Sequence, residues 1–222
     1  MNASAGLGPV RPRTSLRDMV HARIRSAIIS GELAPGEVHS APSLSVQLGV
    51  SATPVREAML DLAREGLVTV MPNKGFKITE VSDSDLDEIT QIRQLLEPPI
   101  LSSVVDLIPD EDFPSLSEAA NQIVEAASEG DLPGYLEADR VFHLSLLRYC
   151  GNNRLVELVD SLRAQTRLYG LRSLVEQGLL VESAQEHHEI LAAIQARDSE
   201  SSARLLTRHI GHVRGIWAGK AD

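Results

Sequence analysis

The chain is poor in the residues that would point to several large functional classes. One cysteine, Cys150, stands among 222 residues. That excludes a disulfide framework and any multi-cysteine zinc site. Phe, Trp and Tyr together make up 3%, so a core must be built from Leu, Val, Ile and Ala. Such a core suits packed helices better than a sandwich or barrel. No apolar run approaches the roughly 20 residues of a membrane-spanning helix. The first dozen residues, MNASAGLGPVRP, lack the apolar stretch of a secretory leader. The expectation is a reduced, cytoplasmic compartment with no membrane partner.

Net positive charge is lacking too. The chain carries −10, which by itself argues against nucleic acid as a partner. The deficit is uneven, however. Residues 1–80 hold nine Lys and Arg against seven Asp and Glu, while residues 81–222 hold twelve against twenty-four. A slightly basic head on an acidic body fits a nucleic-acid reader joined to a second module. The length allows two modest domains.

What is present in the head is helical punctuation. Leu16, Met19, Val20, Ile24, Ala27 and Ile28 recur at helical spacing, and GELAPGE (31–37) ends that helix in a turn. A short second helix is expected over Ser43–Leu48. Gly49 permits a tight turn into a third helix over Ala52–Arg64, with Ser51 as its cap and Pro54 in its first turn. Val55, Met59, Leu60 and Ala63 form the predicted inner stripe, leaving Thr53, Arg56 and Glu57 outside. Two helices across a glycine turn make helix-turn-helix geometry. LVTVMPNKGFKIT (67–79) then reads as two strands around Pro72-Asn73-Lys74-Gly75, a wing with a basic tip. A helix N-terminus fits the major groove, Arg56 can donate to guanine or phosphate, and Lys74 can reach the backbone.

These residues carry a resemblance. GELAPGE, LGVSATPVREAMLDLAREGLV and MPNKGF look like the winged helix of GntR-family bacterial transcription regulators, over nearly all of residues 14–80. The resemblance implies DNA contacts from Ser51, Thr53, Arg56, Asn73, Lys74 and Gly75. Two arginines common in that family fall here at Ala52 and Pro42. Residues 1–13 are expected to be a loose arm.

The body, residues 81–222, offers six amphipathic segments near 84–106, 114–129, 132–150, 153–175, 181–197 and 199–217. No strand pattern competes, so the fold class is mainly α: a winged helix-turn-helix followed by an all-α bundle. Pro98-Pro99 should kink or break the first segment. At about 100° per residue, Asp139 and His143 fall amid an apolar face that includes Tyr135, Leu136, Phe142 and Leu146. His187 joins Ile190, Leu191 and Ile194, whereas His188 points away. His209 lies near a face of Leu206, Ile210, Val213 and Trp217, with His212 further off. A lone histidine on such a face is ordinary core, and Asp139–His143 alone could be a simple i,i+4 pair. One acid and three imidazoles together are costly to bury unless a divalent cation balances them. Zinc, nickel, manganese and cobalt all suit that N/O set.

The same segments resemble the FCD effector domain of the FadR subgroup, through IRQLLEP (92–98), DRVFH (139–143), GNNRL (151–155), EHHEILAAI (186–194) and RHI (208–210). That resemblance implies the same four metal ligands, Asp139, His143, His187 and His209. It implies that Arg93 holds a ligand carboxylate and that Asn152 or Asn153 lines the cavity. The resulting expectation is a homodimeric, non-enzymatic repressor that reads a near-palindromic double-stranded operator and responds to a small carboxylic acid. A metal-dependent hydrolase or lyase on the same Asp/His site, or a purely structural ion, are the competing expectations.

Overall fold

The computed structural model describes residues 15–166 and 179–217. The predicted arm, residues 167–175 of the fourth body segment, and the side chains of Val213 and Trp217 lie outside what is described.

Helix α1 (Leu16–Ile29) opens on a reciprocal cap. The Ser15 hydroxyl accepts the Asp18 N–H, and the Asp18 carboxylate accepts the Ser15 N–H. Its buried stripe begins only at Val20, so Leu16 and Met19, expected inside, are exposed in the first turn. Helix α2 (Ala41–Leu48) starts two residues earlier than expected because Ser40 caps it through the Ser43 N–H. Helix α3 (Ala52–Arg64) buries Val55, Ala58, Met59 and Leu62. Leu60, expected inside, is exposed. The i, i+3, i+4, i+7 spacing selects Ala58 and Leu62, and Leu60 sits about 100° round from Met59. Ser51 occupies the cap position without making a side-chain capping bond.

Strand β1 (Val38–His39) pairs antiparallel with β3 (Gly75–Ile78), which pairs in turn with β2 (Val68–Met71). The wing is therefore a three-stranded sheet in the order β1-β3-β2. Two residues are too few to show a period, and β1 was not legible. The hairpin turn is closed by the Lys74 N–H on the Met71 carbonyl, with Pro72 second and Asn73 third at φ 60°. At Gly75 a Cβ would lie 2.3 Å from the His39 carbonyl oxygen. Only glycine lets β1 close against the wing there.

The body comprises α4 (Asp83–Val104), two short 3-10 turns (Val105–Leu107 and Asp110–Asp112), α5 (Phe113–Glu129), α6 (Leu132–Arg148), α7 (Asn153–Thr166), α8 (Leu180–Gln195) and α9 (Ser199–Trp217). Helix α4 passes through Pro98 and Pro99 without the break that was one of the two expected outcomes. Proline's fixed φ is itself helical, and packing on α6, α7 and α9 carries the helix past its two missing donors. Helix α5 packs on α6 and α8, and α9 on α4 and α8, around an aliphatic core that includes Leu101, Ile123, Phe142 and Ile194. Ile29, the last residue of α1, joins this body core, so the head is pinned to the body by an apolar contact. Among the described residues no helix is long and apolar enough to cross a membrane.

Candidate metal centre and nucleic-acid interface

Helical periodicity brings the four predicted ligands to one point. Helix α6 supplies Asp139 and His143 one turn apart, α8 supplies His187, and α9 supplies His209; all four are buried. One ligand atom from each lies within 4.8 Å of the others. His143 Nε2 is 3.1 Å from His187 Nε2, and Asp139 Oδ1 is 3.5 Å from the first of these nitrogens and 3.2 Å from the second. Bonds of 2.0–2.1 Å in a tetrahedral site separate neighbouring ligand atoms by about 3.3 Å. The donor set and its spacing therefore fit a first-row divalent cation.

The surroundings orient the rings. His187 Nδ1 lies 2.9 Å from the Ala184 carbonyl oxygen, which can accept only a ring N–H. His209 Nδ1 lies 2.7 Å from Glu186 Oε2 and donates to it in the same way. Each leaves Nε2 as the lone-pair atom, the usual outer-shell arrangement of a ligating histidine. Glu186 also holds the half-exposed His212 through its second oxygen. Burial pushes His143 well below the ordinary histidine value, and Arg163 adds to this. Burial takes His209 down to about 4. Both rings are neutral at pH 7 and able to ligate. Burial opposes ionisation of Asp139, but Arg163 and then His143 and His187 outweigh it and hold the carboxyl well below its ordinary range.

The sequence singled out Arg93 but missed Glu97 and Arg163, the other members of a second buried layer. Arg163 on α7 donates to Asp139 Oδ2 at 2.5 Å and to Glu97 Oε2 at 3.0 Å. Arg93 Nε donates to Glu97 Oε1 at 2.6 Å. Two cations and two anions thus alternate in one buried chain from α4 to Asp139 of the candidate ligand set. Signals for both pairs existed. Arg93 and Glu97 are i,i+4, and Arg163 continues the Val156, Val159 stripe of α7. Asn152 lies exposed in the turn after Gly151, and Asn153 lies exposed at the first position of α7. The Asn152 amide oxygen accepts the Leu155 N–H as a helix cap, so neither joins the buried group. His188 faces out, as expected.

At the other end of the molecule, Ser51, Thr53 and Arg56 are exposed on the first turns of α3. Asn73 and Lys74 are exposed at the wing tip. Arg56, Pro42 at the start of α2, and Pro72 to Phe76 line one cleft of about 360 Å³ between the helices and the wing. Gly75 is half-buried in that cleft, occupied with the close approach of β1.

Residues 16–78 match the bacterial regulatory proteins of the gntR family, and residues 88–212 match the FCD domain. The HTH-type transcriptional regulator McbR of Escherichia coli (strain K12) is 30% identical over 90% of this chain and 91% of its own. The HTH-type transcriptional repressor RspR of the same strain is 24% identical over 96% and 92%. The solved structure of E. coli McbR/YncC superposes with a TM-score of 0.76 at 29% identity, covering 94% of this chain and 99% of that one. A GntR regulator from Rhodococcus sp. RHA1 gives 0.71 at 25% identity, over 93% and 99%. A wing and recognition helix in front, an acid-and-imidazole cluster in a helical bundle behind, and relatives matched over nearly their whole length lead to one conclusion: the chain belongs to the GntR family of bacterial regulatory proteins and is a DNA-binding transcriptional regulator with an FCD domain.

Proposed function

We propose that this regulator is a repressor whose operator affinity is set by a small carboxylic acid at a divalent cation held by Asp139, His143, His187 and His209. The observation that carries the reading is the convergence of those four buried side chains from three helices. Zinc suits the set first, with nickel, manganese and cobalt after it. A cation there would offer an open position to a carboxylate oxygen. Arg163 Nε, buried beside Asp139 with no hydrogen-bond partner among the described residues, is a spare donor for the same anion. Arg93 adds positive charge one residue pair away. Ser51, Thr53 and Arg56 would enter the major groove while Asn73 and Lys74 meet phosphate. Exposed Ile92 and Leu95 on α4 support a homodimer, which would place two heads on a near-palindromic operator.

The test uses a duplex selected by the protein in vitro from random sequence. Elemental analysis should find about one ion per chain, and one member of a panel of small carboxylic acids should change DNA affinity by about 5- to 150-fold. If metal removal lowers the melting temperature while no acid alters DNA affinity, the ion is structural. If an acid is turned over, the site is catalytic.

A further inference from the structure

The helices that carry the buried cluster also touch the reading head, and they do so with their other faces. On α6, Glu137 precedes the ligand Asp139 by two residues and points the opposite way, into a cleft of about 570 Å³ between head and body. There Arg25 of α1 lies between two carboxylates. It is 3.4 Å from Glu65 in the head and 3.6 Å from Glu137 in the body. His21, one turn earlier on α1, holds the other Glu65 oxygen at 2.6 Å. Glu65 caps the C-terminus of the recognition helix α3.

Helix α7 repeats the arrangement. Arg163 faces inward to Asp139, and two residues on Gln165 faces the head. Its side chain passes so close to Gly66 that a Cβ there would sit 3.3 Å away. Helices α6 and α7 are themselves locked by Arg140, which grips Asp160 with two nitrogens at 2.7 Å and 2.6 Å. The pair is therefore tied together, with Asp139 and Arg163 on one side and the end of α3 on the other.

We propose that the Glu65–Arg25–Glu137 bridge, together with Gln165 against Gly66, is the joint through which the buried centre sets the orientation of the reading head. The proposal rests on the reading of that centre as a metal site. It adds the route by which occupancy is felt at α3. The bridge's own charges are paired: Arg25 with Glu65 and Glu137, Glu65 also with His21, and Glu137 also with Arg140, so the bridge is a contact between two parts of the chain. The apolar contact of Ile29 holds the parts together, and the polar bridge selects the angle. A bridge between partly exposed groups is a modest lever, worth up to about a five-fold change in an equilibrium constant.

The test uses the full chain, zinc as the probe, and a duplex selected in vitro by the protein. DNA affinity is measured for the zinc-loaded and chelator-stripped forms of wild type, Glu137→Gln and Glu137→Gln/Gln165→Ala. The loaded-to-stripped ratio cancels the general effect of removing a negative charge. We expect Glu137→Gln to shrink that ratio about two- to five-fold and the double variant to shrink it further, with zinc affinity unchanged. A double variant that keeps the wild-type ratio overturns the joint. A wild-type ratio of one also overturns the joint, because zinc occupancy is then not felt at the head, whereas the reading of an acid-modulated affinity is defeated only by its own acid panel. Hydrogen exchange gives a readout independent of DNA. Amides of α1 and of residues 65–67 should change protection on zinc loading in wild type and lose that response in the double variant. Zinc binding without any such change in wild type also overturns the joint.

Discussion

The head and the body are both built around aliphatic cores, yet they treat polar groups in opposite ways. In the head, Ser45 is the one buried polar residue among those described, and its hydroxyl is satisfied locally by the Pro42 carbonyl. In the body, Arg93, Glu97, Asp139, His143, Arg163, Glu186, His187 and His209 are all buried. A reading head needs its polar groups outside, where DNA is. A body that binds a small anion, as proposed, would need them inside, where the anion can be stripped of water and held. An ionic core of buried charge is weak evidence for stability.

The largest effect should come from removing one link of that core. Arg163→Ala leaves both Asp139 and Glu97 short of a cation in a dry interior. Breaking a buried ion pair from one side costs about 3–5 kcal/mol, measured as the shift in urea midpoint. The same substitution in the head, Arg56→Ala, removes an exposed side chain and should leave that midpoint unmoved. Equal destabilisation by the two would abolish the contrast between the regions.

Acid should separate the regions next. His209 in the folded chain sits at about 4, and an unfolded histidine sits near 6.5. The folded value is the lower one. The buried neutral ring therefore favours the native state fully above about pH 6.5, and this contribution fades as pH falls toward 4 because the unfolded chain takes up the proton first. His143 shifts in the same direction. For His209 alone the loss is about 3 kcal/mol in metal-free protein. Hydrogen exchange should show α6, α8 and α9 losing protection between pH 7 and 5 before α1 and α3 do. Simultaneous loss would mean that the titrating groups are not confined to the body.

The two regions also differed in what their sequences disclosed. The head was legible because its signals are local: Gly49, Pro54 and the wing turn each act within a few residues. Among its misassignments, Leu16 and Met19 are apolar positions of the first turn of α1 that stay exposed, and Leu60 is an apolar residue that lies off the Val55, Ala58, Met59, Leu62 stripe. In the body, periodicity placed Asp139, His143, His187 and His209 because each lies amid its own helix's apolar face. Arg163 and Glu97 escaped because charged residues on an amphipathic helix normally mark solvent, and only the approach of α4 to α7 turns them into partners. Glu186 escaped because its link to His209 spans two helices. The continuity of α4 through Pro98-Pro99 is likewise a tertiary fact, dictated by the helices packed around it.

A smaller effect belongs to the head. Arg56→Ala should weaken binding to the selected duplex by about 1–3 kcal/mol if it reads a base, and Lys74→Ala should weaken binding to all sequences alike while lowering the salt slope by about one. Fluorescence anisotropy at two or more salt concentrations distinguishes them. Unchanged affinity in the Arg56 variant would remove α3 from the groove and leave the wing as the principal contact.

The smallest effect is the sharpest test of the body's inward polarity, because it uses adjacent residues of one kind. His187 and His188 are neighbours on α8, separated by about 100° of helix. His187 is fully enclosed, with Nδ1 on a carbonyl and Nε2 beside His143 and Asp139. His188 faces solvent. His188→Ala should change stability by no more than about 0.5 kcal/mol and leave metal content intact. His187→Ala should empty the site of metal as read by elemental analysis. If His188→Ala instead released the ion, the rotation of α8 would be wrong by a quarter turn, and with it the claim that this body places its chemistry at its centre.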